Sequence, residues 1–229
     1  MKIIISPAKK MTSQVEYPAP IGSPVFLNRT EQLMHKLQSM SYEELKKLWV
    51  CNDEIASQNV ERLQHMDLQT GAAALGSYVG IQYQYMAPQV FEDAYYEYVQ
   101  EHLRILSGFY GIVRPLDRVT PYRLEMQAKL AVDGHRNLYS YWGDSLYREL
   151  TQDDHVILNL ASGEYSKCIQ KYLTSEDTFI TCTFGQLVDG KVKEKGVYVK
   201  MARGEMVRYL AEINAQSPEA AKGFDRLGF

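Results

Sequence analysis

The stretch LSGFYGIVRPLDRVTPYRLEM, residues 106–126, combines two glycines, two prolines, three arginines and two carboxylates with apolar residues. Packing into a core does not require so many turn-forming and charged residues. Gly108 and Gly111 permit a tight turn and a close approach of the backbone to another group. The arginines supply fixed donor forks that suit phosphate and carboxylate groups. The stretch therefore predicts a site for an anionic partner.

The segments on either side of this turn predict how its side chains are presented. An amphipathic helix is expected after Pro88 and continues to Leu106, so that it leads into the turn. Residues 122–126 alternate apolar with charged side chains, which places Arg123 and Glu125 on one face of an extended, half-buried segment.

Apolar runs and turn-forming pairs predict the strands. Residues 3–5 are three isoleucines and residues 156–160 read VILNL. Such short runs are typical of strands that are buried on both faces. Residues 179–187 and 192–200 flank an Asp-Gly pair, which favours a two-residue hairpin turn.

Helices are expected between these strands. Residues 29–66 have helical spacing, with Ser41 and Glu44 in the pattern of a capping box. A last helix is expected to begin near Arg203 or Gly204. Strands interspersed with helices predict an α/β fold, or α+β with a mixed sheet. We expect a single domain over residues 1–229, with a mixed β-sheet flanked by helices.

The bulk composition narrows the class of protein. The chain has 229 residues, 45% hydrophobic content, a formal net charge of -3 and a pI near 6.0. These values exclude a protein that coats nucleic acid with a globally basic surface. Residues 102–129 nevertheless carry five Lys or Arg against two acids, and residues 190–208 carry six against two. If the fold joins these stretches, an acidic protein still has a basic cleft.

Targeting and metal-binding motifs are missing from the sequence. No leader pattern opens the chain and no apolar run reaches the ~20 residues of a membrane helix, so we expect a cytoplasmic protein with no membrane partner. The three cysteines are widely spaced without a CxxC pair, and the five histidines show no HxH or HExxH spacing. We therefore expect no metal site and no cofactor. Nothing in the sequence indicates an obligate protein partner.

The candidate site consists of cations and the glycine-bounded turn. Lys9 follows the first predicted strand, where open sheets commonly present ligand-binding loops. The remaining nucleic-acid-binding candidates are Ser107, Gly108, Tyr110, Gly111, Arg114, Arg123, Lys200 and Arg203.

Structural roles remain open for the same residues. Lys9 is equally compatible with a solvated turn, and the segment 107–111 with a plain helix C-cap. Tyr110 either stacks on a base or fills the core. Arg123 has Glu125 nearby in the sequence, and Arg114 has Asp117. If their role is structural, each arginine forms an internal ion pair with its neighbouring acid. Acid–base chemistry would require Glu125 to converge with a second acid, such as Asp117, Asp144 or Glu164.

Several blocks of the sequence resemble the YaaA peroxide-stress family nearly from end to end. The matching blocks are ISPAK (5–9), HLRILSGFYGIVRPLDRVTPYRLEM (102–126), NLYSYWGD (137–144), VILNLASGEY (156–165) and KMARGEMVRYL (200–210). The resemblance implies a cytoplasmic bacterial protein with one mixed α/β domain, called the cantaloupe fold. It also implies a DNA-binding protein that limits oxidative damage by lowering free intracellular iron during hydrogen peroxide stress.

The resemblance also implies a helix-hairpin-helix-like element at residues 107–111, followed by Arg114 and Arg123. Backbone N–H groups and cations in such an element contact DNA phosphates without reading base edges. The chain departs from the family's pattern at residues 79–83, at Gly163, where an aspartate is common, and at Gln127, where a glycine is common.

Three functions follow as hypotheses. The first is a non-enzymatic DNA-binding protein with a basic cleft. The second is an enzyme that acts on a small anionic metabolite or nucleotide, with Lys9, Arg114, Arg123 and Glu125 in its pocket. The third, direct binding of iron, lacks a recognisable ligand cluster. A deep, closed cavity around Arg123 and Glu125 favours the enzyme, whereas a wide, open basic groove favours DNA.

Overall fold

The computed structural model describes residues 1–15 and 18–229. The strands are β1 (Lys2–Ile5), β2 (Lys10–Met11), β3 (Ala72–Ala73), β4 (Tyr78–Val79), β5 (Leu103–Ser107), β6 (Gly111–Val113), β7 (Arg118–Val119), β8 (Val156–Asn159), β9 (Thr178–Thr181), β10 (Gln186–Val188) and β11 (Lys191–Lys193). The helices are α1 (Leu27–Gln38), α2 (Tyr42–Trp49), α3 (Asp53–Gln64), α4 (Ala74–Ser77), α5 (Ile81–Met86), α6 (Asp93–His102), α7 (Leu138–Trp142), α8 (Ser145–Leu150), α9 (Gly163–Gln170) and α10 (Gly196–Glu212), with 3₁₀ turns at Pro88–Val90 and Pro218–Gly223. Within the described residues, no helix has both the length and the apolar character that a membrane crossing requires.

A five-stranded mixed sheet forms the centre of the fold, in the order β6-β5-β1-β8-β9. β1, β5, β8 and β9 run parallel, and β6 pairs antiparallel with β5 at one edge. Residues 3–5 of β1 have no exposed surface, so both faces of this central strand are covered. The predicted α/β class with a mixed sheet is confirmed, and so is the strand expected at 156–160, which is β8.

The order of the parallel strands creates a crevice beside β1. The chain enters the sheet at β1, adds β5 on one side and later adds β8 and β9 on the other side. In open α/β sheets, ligands bind outside the carboxyl ends of the strands at the point where the strand order reverses. The carboxyl ends of β1 and β8 are therefore where this fold favours a binding site.

The glycine-bounded turn has a different local structure from the predicted one. Residues Leu103–Ser107 form β5, which pairs with β1 so that Leu103 lies opposite Ile3. The predicted continuous helix to Leu106 is wrong, because pairing with a strand about a hundred residues away outweighs the local helical pattern. Residues 107–111 connect the antiparallel strands β5 and β6, so the expected helix-hairpin-helix-like element is not formed there.

The Asp189-Gly190 hairpin is confirmed, but it is shorter than predicted. β10 and β11 pair antiparallel, and Asp189 and Gly190 have φ angles of 52° and 73°, as a type I′ turn requires. Part of the first predicted arm belongs to the main sheet as β9. The last helix begins at Gly196 and not near Arg203 or Gly204 as predicted, because Val199 already belongs to the apolar stripe of α10 that packs into the core.

Asp177 links the amino ends of β8 and β9. Its side chain is buried, and its carboxylate accepts hydrogen bonds from the Thr174 N–H at 2.7 Å and the Tyr147 hydroxyl at 2.8 Å. His155 Nδ1 lies 2.8 Å from the other carboxylate oxygen. Burial by itself raises the pKa of Asp177, but these hydrogen bonds outweigh burial and lower the pKa to about 2.

Asp177→Asn is expected to reduce the free energy of unfolding at neutral pH by about 2 kcal/mol. The pKa of Asp177 is lower in the folded chain than the ~3.9 of an unfolded one, so its stabilisation is present above pH ~4 and is lost as the pH falls through about 2. Urea unfolding between neutral pH and about pH 2 measures this effect. Asp153→Asn, at an exposed carboxylate, is the control. Equal stability of Asp177→Asn and the unsubstituted chain at neutral pH would contradict the expectation.

Candidate anion-binding cleft

A cavity of about 450 Å³ lies at the carboxyl ends of β1 and β8. Its wall contains five cations, which are Lys9, Lys10, Arg123, Lys200 and Arg203, and two carboxylates, which are Glu125 and Glu164. Positive charge therefore exceeds negative charge by three in this concavity, although the whole chain is acidic. We call this cavity the cleft. Its excess of positive charge attracts an anionic ligand.

The loops that follow β1 and β8 are joined at the base of the cleft. Ser6 comes directly after β1, and its Oγ accepts a hydrogen bond from the Ser162 N–H at 2.9 Å. The two hydroxyls lie 3.2 Å apart. The Tyr83 hydroxyl donates to the Ser6 carbonyl at 3.0 Å and brings α5 against the same loop. These bonds fix the positions of Lys9 and of the first turn of α9.

Residues 122–126 form one wall of the cleft, and we call them the strap. The strap is extended, with Tyr122, Leu124 and Met126 buried and with Arg123 and Glu125 half-buried on the cleft side. The predicted alternation is therefore confirmed. It turns a cation and a carboxylate toward the same cavity.

The turn between β5 and β6 supports the strap from inside the protein. Ser107 Oγ lies 2.7 Å from the Tyr122 hydroxyl. A Cβ on Gly108 would lie 2.5 Å from the Leu124 carbonyl oxygen, so only glycine allows this approach. Tyr110 is 1% exposed, and its hydroxyl accepts a hydrogen bond from the Thr120 N–H at 3.0 Å. The turn residues are thus buried supports of the strap and do not line the cleft.

Ion pairs connect the strap to the β1 loop. Lys9 Nζ lies 2.8 Å from Glu125 Oε2, and Arg123 lies 3.9 Å from Glu125 Oε1. The predicted pairing of Arg123 with Glu125 is present, and Lys9 joins it. The Lys9 side chain is 64% exposed, whereas that of Glu125 is 19% exposed. Lys9 therefore stands at the mouth of the cleft, and Glu125 lies deeper.

The opposite wall is formed by α5 and α10, which pack closely against each other. A Cβ on Gly204 would lie 2.0 Å from the Gln82 carbonyl oxygen, which shows how near the two backbones are. Gln82, Lys200 and Arg203 extend from this wall into the cleft. Burial lowers the pKa of Arg203, and the charge of Glu194 acts against that change.

Buried donors around the cleft have no acceptor in the described part of the chain. They are Gln82 Nε2, Arg123 Nε and Arg203 Nε. A buried donor without an acceptor costs about 1–3 kcal/mol, so such groups usually mark a site where a ligand or water supplies the acceptor. Three of them around one cavity favour a ligand rich in acceptor oxygens.

Glu164 occupies the first turn of α9 and differs from Glu125 in its surroundings. Its Oε1 accepts a hydrogen bond from the Gln127 N–H at 3.2 Å. Burial raises the pKa of Glu164, and the negative charge of Glu125 acts in the same direction, whereas the Gln127 hydrogen bond and Lys9 act against it. The cleft thus contains one ion-paired carboxylate and one carboxyl group whose pKa is raised by burial.

The structure brings together some of the sequence-predicted site residues and separates others. Lys9, Arg123, Lys200 and Arg203 line the cleft. Arg114 does not, because β6 runs antiparallel and carries it toward the amino edge of the sheet, where Lys2 and Arg104 are its electrostatic neighbours. The Asp117 carboxylate accepts a hydrogen bond from the Arg114 backbone N–H at 2.8 Å. The expected placement of Arg114 beside Arg123 is therefore wrong.

Sequence reasoning missed the contribution of Gln82 and Tyr83 to the cleft. Both lie on a short helix whose position depends on contact with α10, and no local pattern reports that contact. Glu164, one of the acids that the sequence offered as a partner for Glu125, does line the cleft, at the start of the helix that follows the buried strand β8. Among the described residues there is no group of three or more His, Cys, Asp or Glu side chains arranged to hold a metal ion.

The fold and the cleft define a class of protein: an α/β protein with a net positive cleft where the order of its parallel strands reverses. Comparison with known proteins identifies the family. A family model described as peroxide stress protein YaaA matches residues 1–229. The chain is 62% identical to a UPF0246 protein of Desulfitobacterium hafniense and 53% identical to one of Agathobacter rectalis, in each case over 100% of this chain and 92% of the relative. A UPF0246 protein of Pediococcus pentosaceus is 47% identical, with the same coverage. The chain belongs to the YaaA peroxide-stress (UPF0246) family, as the matching blocks predicted.

Proposed function

We propose that this protein contributes to the hydrogen peroxide response by binding a small phosphate-bearing molecule, of the size of a nucleotide, in the cleft. The observation that carries the proposal is the convergence of Lys9, Arg123, Lys200 and Arg203 on one concavity. These residues come from three separate parts of the chain. Their meeting point is also the position at which open α/β sheets bind ligands.

The depth of the cations supports a small ligand over a DNA duplex. A volume of about 450 Å³ is within the usual range of small-molecule pockets. The Arg123 side chain is only 11% exposed, and Arg203 is half-buried. A DNA duplex would reach the mouth of the cleft and leave these deeper donors uncontacted. A phosphate on a small molecule can enter and accept hydrogen bonds from them.

The carboxylates also favour a small ligand. Glu125 and Glu164 lie in the cleft itself, where they repel the continuous row of phosphates on a DNA strand. A nucleotide carries its phosphate at one end and neutral polar groups at the other. Such a molecule places its phosphate against the α5–α10 wall and its uncharged part against the strap and Glu164.

Binding of DNA, with the lowering of free intracellular iron that the family resemblance implies, is the second candidate function. The β10–β11 hairpin favours it, because Lys191, Lys193 and Lys195 are exposed there. Lys195 precedes α10 and is only ~7.5 Å along the helix axis from Lys200. Exposed cations in this arrangement contact backbone phosphates without reading the sequence.

Calorimetric titration with a nucleoside monophosphate and with a short DNA duplex tests the two candidates. The proposal predicts saturable binding of the nucleotide. Arg114→Met should leave the affinity within about twofold of that of the unsubstituted chain, since Arg114 is remote from the cleft. Replacing Lys191, Lys193 and Lys195 together with glutamine is expected to leave nucleotide affinity unchanged. The second candidate predicts instead duplex binding that falls steeply with salt and with this triple substitution. No binding of any phosphate-bearing small molecule, or a loss of nucleotide affinity well beyond twofold in Arg114→Met, would contradict the first proposal.

A further inference from the structure

The two carboxylates of the cleft differ in a way that binding alone does not need. Glu125 faces Lys9 at 2.8 Å and also lies near Arg123. Glu164 accepts one backbone hydrogen bond, from Gln127, and is half-buried at the start of α9. A site that only held a phosphate would contain cations and neutral donors. Two carboxyl groups in one cavity, one of them ion-paired with a cation and the other with a raised pKa, are the arrangement of general acid–base catalysis.

Two of the three unpartnered donors lie on the wall opposite the acids. Gln82 and Arg203 belong to the α5–α10 wall, where the buried unpartnered donors favour a phosphate. Glu125 and Glu164 belong to the wall formed by the strap and α9, which also carries Arg123. A ligand whose phosphate lies against Gln82 and Arg203 therefore extends across the cleft. The bond that it places beside the acids is remote from its phosphate.

We propose that the cleft hydrolyses the N-glycosidic bond of a nucleoside monophosphate, with Glu164 as the general acid and Glu125 as the general base. This inference rests on the proposed function, which supplies the anchoring of the phosphate. The rings of Tyr122 and Tyr165 line the cavity on the wall formed by the strap and α9 and offer aromatic surfaces to a nucleobase.

The hydrolytic step is balanced with water as the only co-reactant. The oxygen of a water molecule forms a bond to the anomeric carbon of the sugar while Glu125 takes a proton from that water. The bond between the anomeric carbon and the base nitrogen breaks, and Glu164 donates its proton to the departing nitrogen. The products are a free nucleobase and a sugar 5-phosphate. Exchange with solvent then removes the proton from Glu125 and returns one to Glu164.

The environment of Glu164 is suited to the role of acid. Burial raises its pKa, with a contribution of the same sign from Glu125, so the carboxyl keeps its proton to a higher pH than an exposed glutamate. The other titratable groups around it are Lys9, Tyr139, Tyr165 and Cys168. Of these, only Lys9 is a cation, and it is engaged by Glu125.

Chromatographic detection of free base from AMP, GMP, CMP and UMP tests the proposal. We expect release of base from at least one nucleotide, and release from the matching nucleoside that is at least 100-fold slower, because the nucleoside lacks the anchored phosphate. Glu164→Gln and Glu125→Gln are each expected to slow release by about 10²-fold to 10⁴-fold. Glu176→Gln, at an exposed glutamate outside the cleft, is the matched control and should retain the full rate.

Binding measured beside turnover separates this inference from the proposed function. Glutamine is nearly isosteric with glutamate, so nucleotide affinity in both variants should stay within about fivefold of that of the unsubstituted chain. A nucleotide that binds the unsubstituted chain and never releases its base would overturn the hydrolytic proposal and leave the binding proposal standing. Full turnover in both glutamine variants would overturn the assigned roles. Failure of every nucleotide to bind would remove both proposals.

Discussion

Gly204→Ala is expected to lower the free energy of unfolding by about 3 kcal/mol, with a fall in Tm of roughly 6–12 °C for a chain of this size. The reason is steric. A Cβ at this position would lie 2.0 Å from the Gln82 carbonyl oxygen and 2.8 Å from the Met86 nitrogen, both of which are backbone atoms of α5 or its end. Neither atom can rotate away as a flexible side chain would, so α5 and α10 must separate. Separation exposes the buried stripe of α10 to water.

The same substitution should also weaken the cleft. Gln82 and Arg203 lie on the two helices that Gly204 holds together, and their separation moves donors away from a bound phosphate. Differential scanning calorimetry measures the Tm directly. Gly196→Ala is the matched control, since it lies in the first turn of the same helix and a Cβ there meets nothing within 4 Å. A glycine-to-alanine change in an unobstructed helical position is neutral or slightly stabilising. Equal Tm values for the two variants would show that α5 and α10 are not closely packed.

The sequence was sufficient for the parts of the fold that local patterns determine. The isoleucine run at 3–5 and the VILN segment of β8 are buried strands, because a short apolar run has few other stable arrangements. The strap was predictable because alternation with period two places Arg123 and Glu125 on one face, whichever neighbours the chain acquires. The capping box of Ser41 and Glu44 is likewise present at the start of α2.

Other features depend on contacts between distant parts of the chain. The segment LRILS continues the helical pattern of α6, yet it forms β5 because β1 offers a parallel partner. Arg114 and Arg123 are nine residues apart in one basic stretch, but β6 reverses the chain between β5 and the strap and leads Arg114 away from the cleft. Gln82 reaches the cleft only because Gly204 lets α10 approach α5. No spacing rule within the sequence reports these contacts.

Arg203→Met is expected to weaken nucleotide binding by about 100-fold, or roughly 2.7 kcal/mol. Arg203 is the half-buried cation of the α5–α10 wall, and its Nε has no acceptor among the described residues. A phosphate in the cleft would supply that acceptor through a charge-assisted hydrogen bond. Methionine preserves most of the apolar length of the side chain and removes only the donors and the charge. The fold should therefore be retained, and removal of a partly desolvated charge should not lower stability.

Arg208→Met is the matched control for this variant. Arg208 lies on the same helix, does not line the cleft, and pairs with Glu212 at 2.8 Å. Its removal changes the net charge of the protein by the same amount as Arg203→Met. A general electrostatic effect would therefore weaken binding equally in both variants, whereas a specific contact weakens it only in Arg203→Met.

Side-by-side calorimetric titration of AMP into the unsubstituted chain, Arg203→Met and Arg208→Met is the most direct test of the cleft as a phosphate site. We predict saturable heat with the unsubstituted chain and Arg208→Met, and an affinity about 100-fold lower with Arg203→Met. Indistinguishable affinities for all three proteins, or no heat with any of them, would contradict the assignment of the cleft.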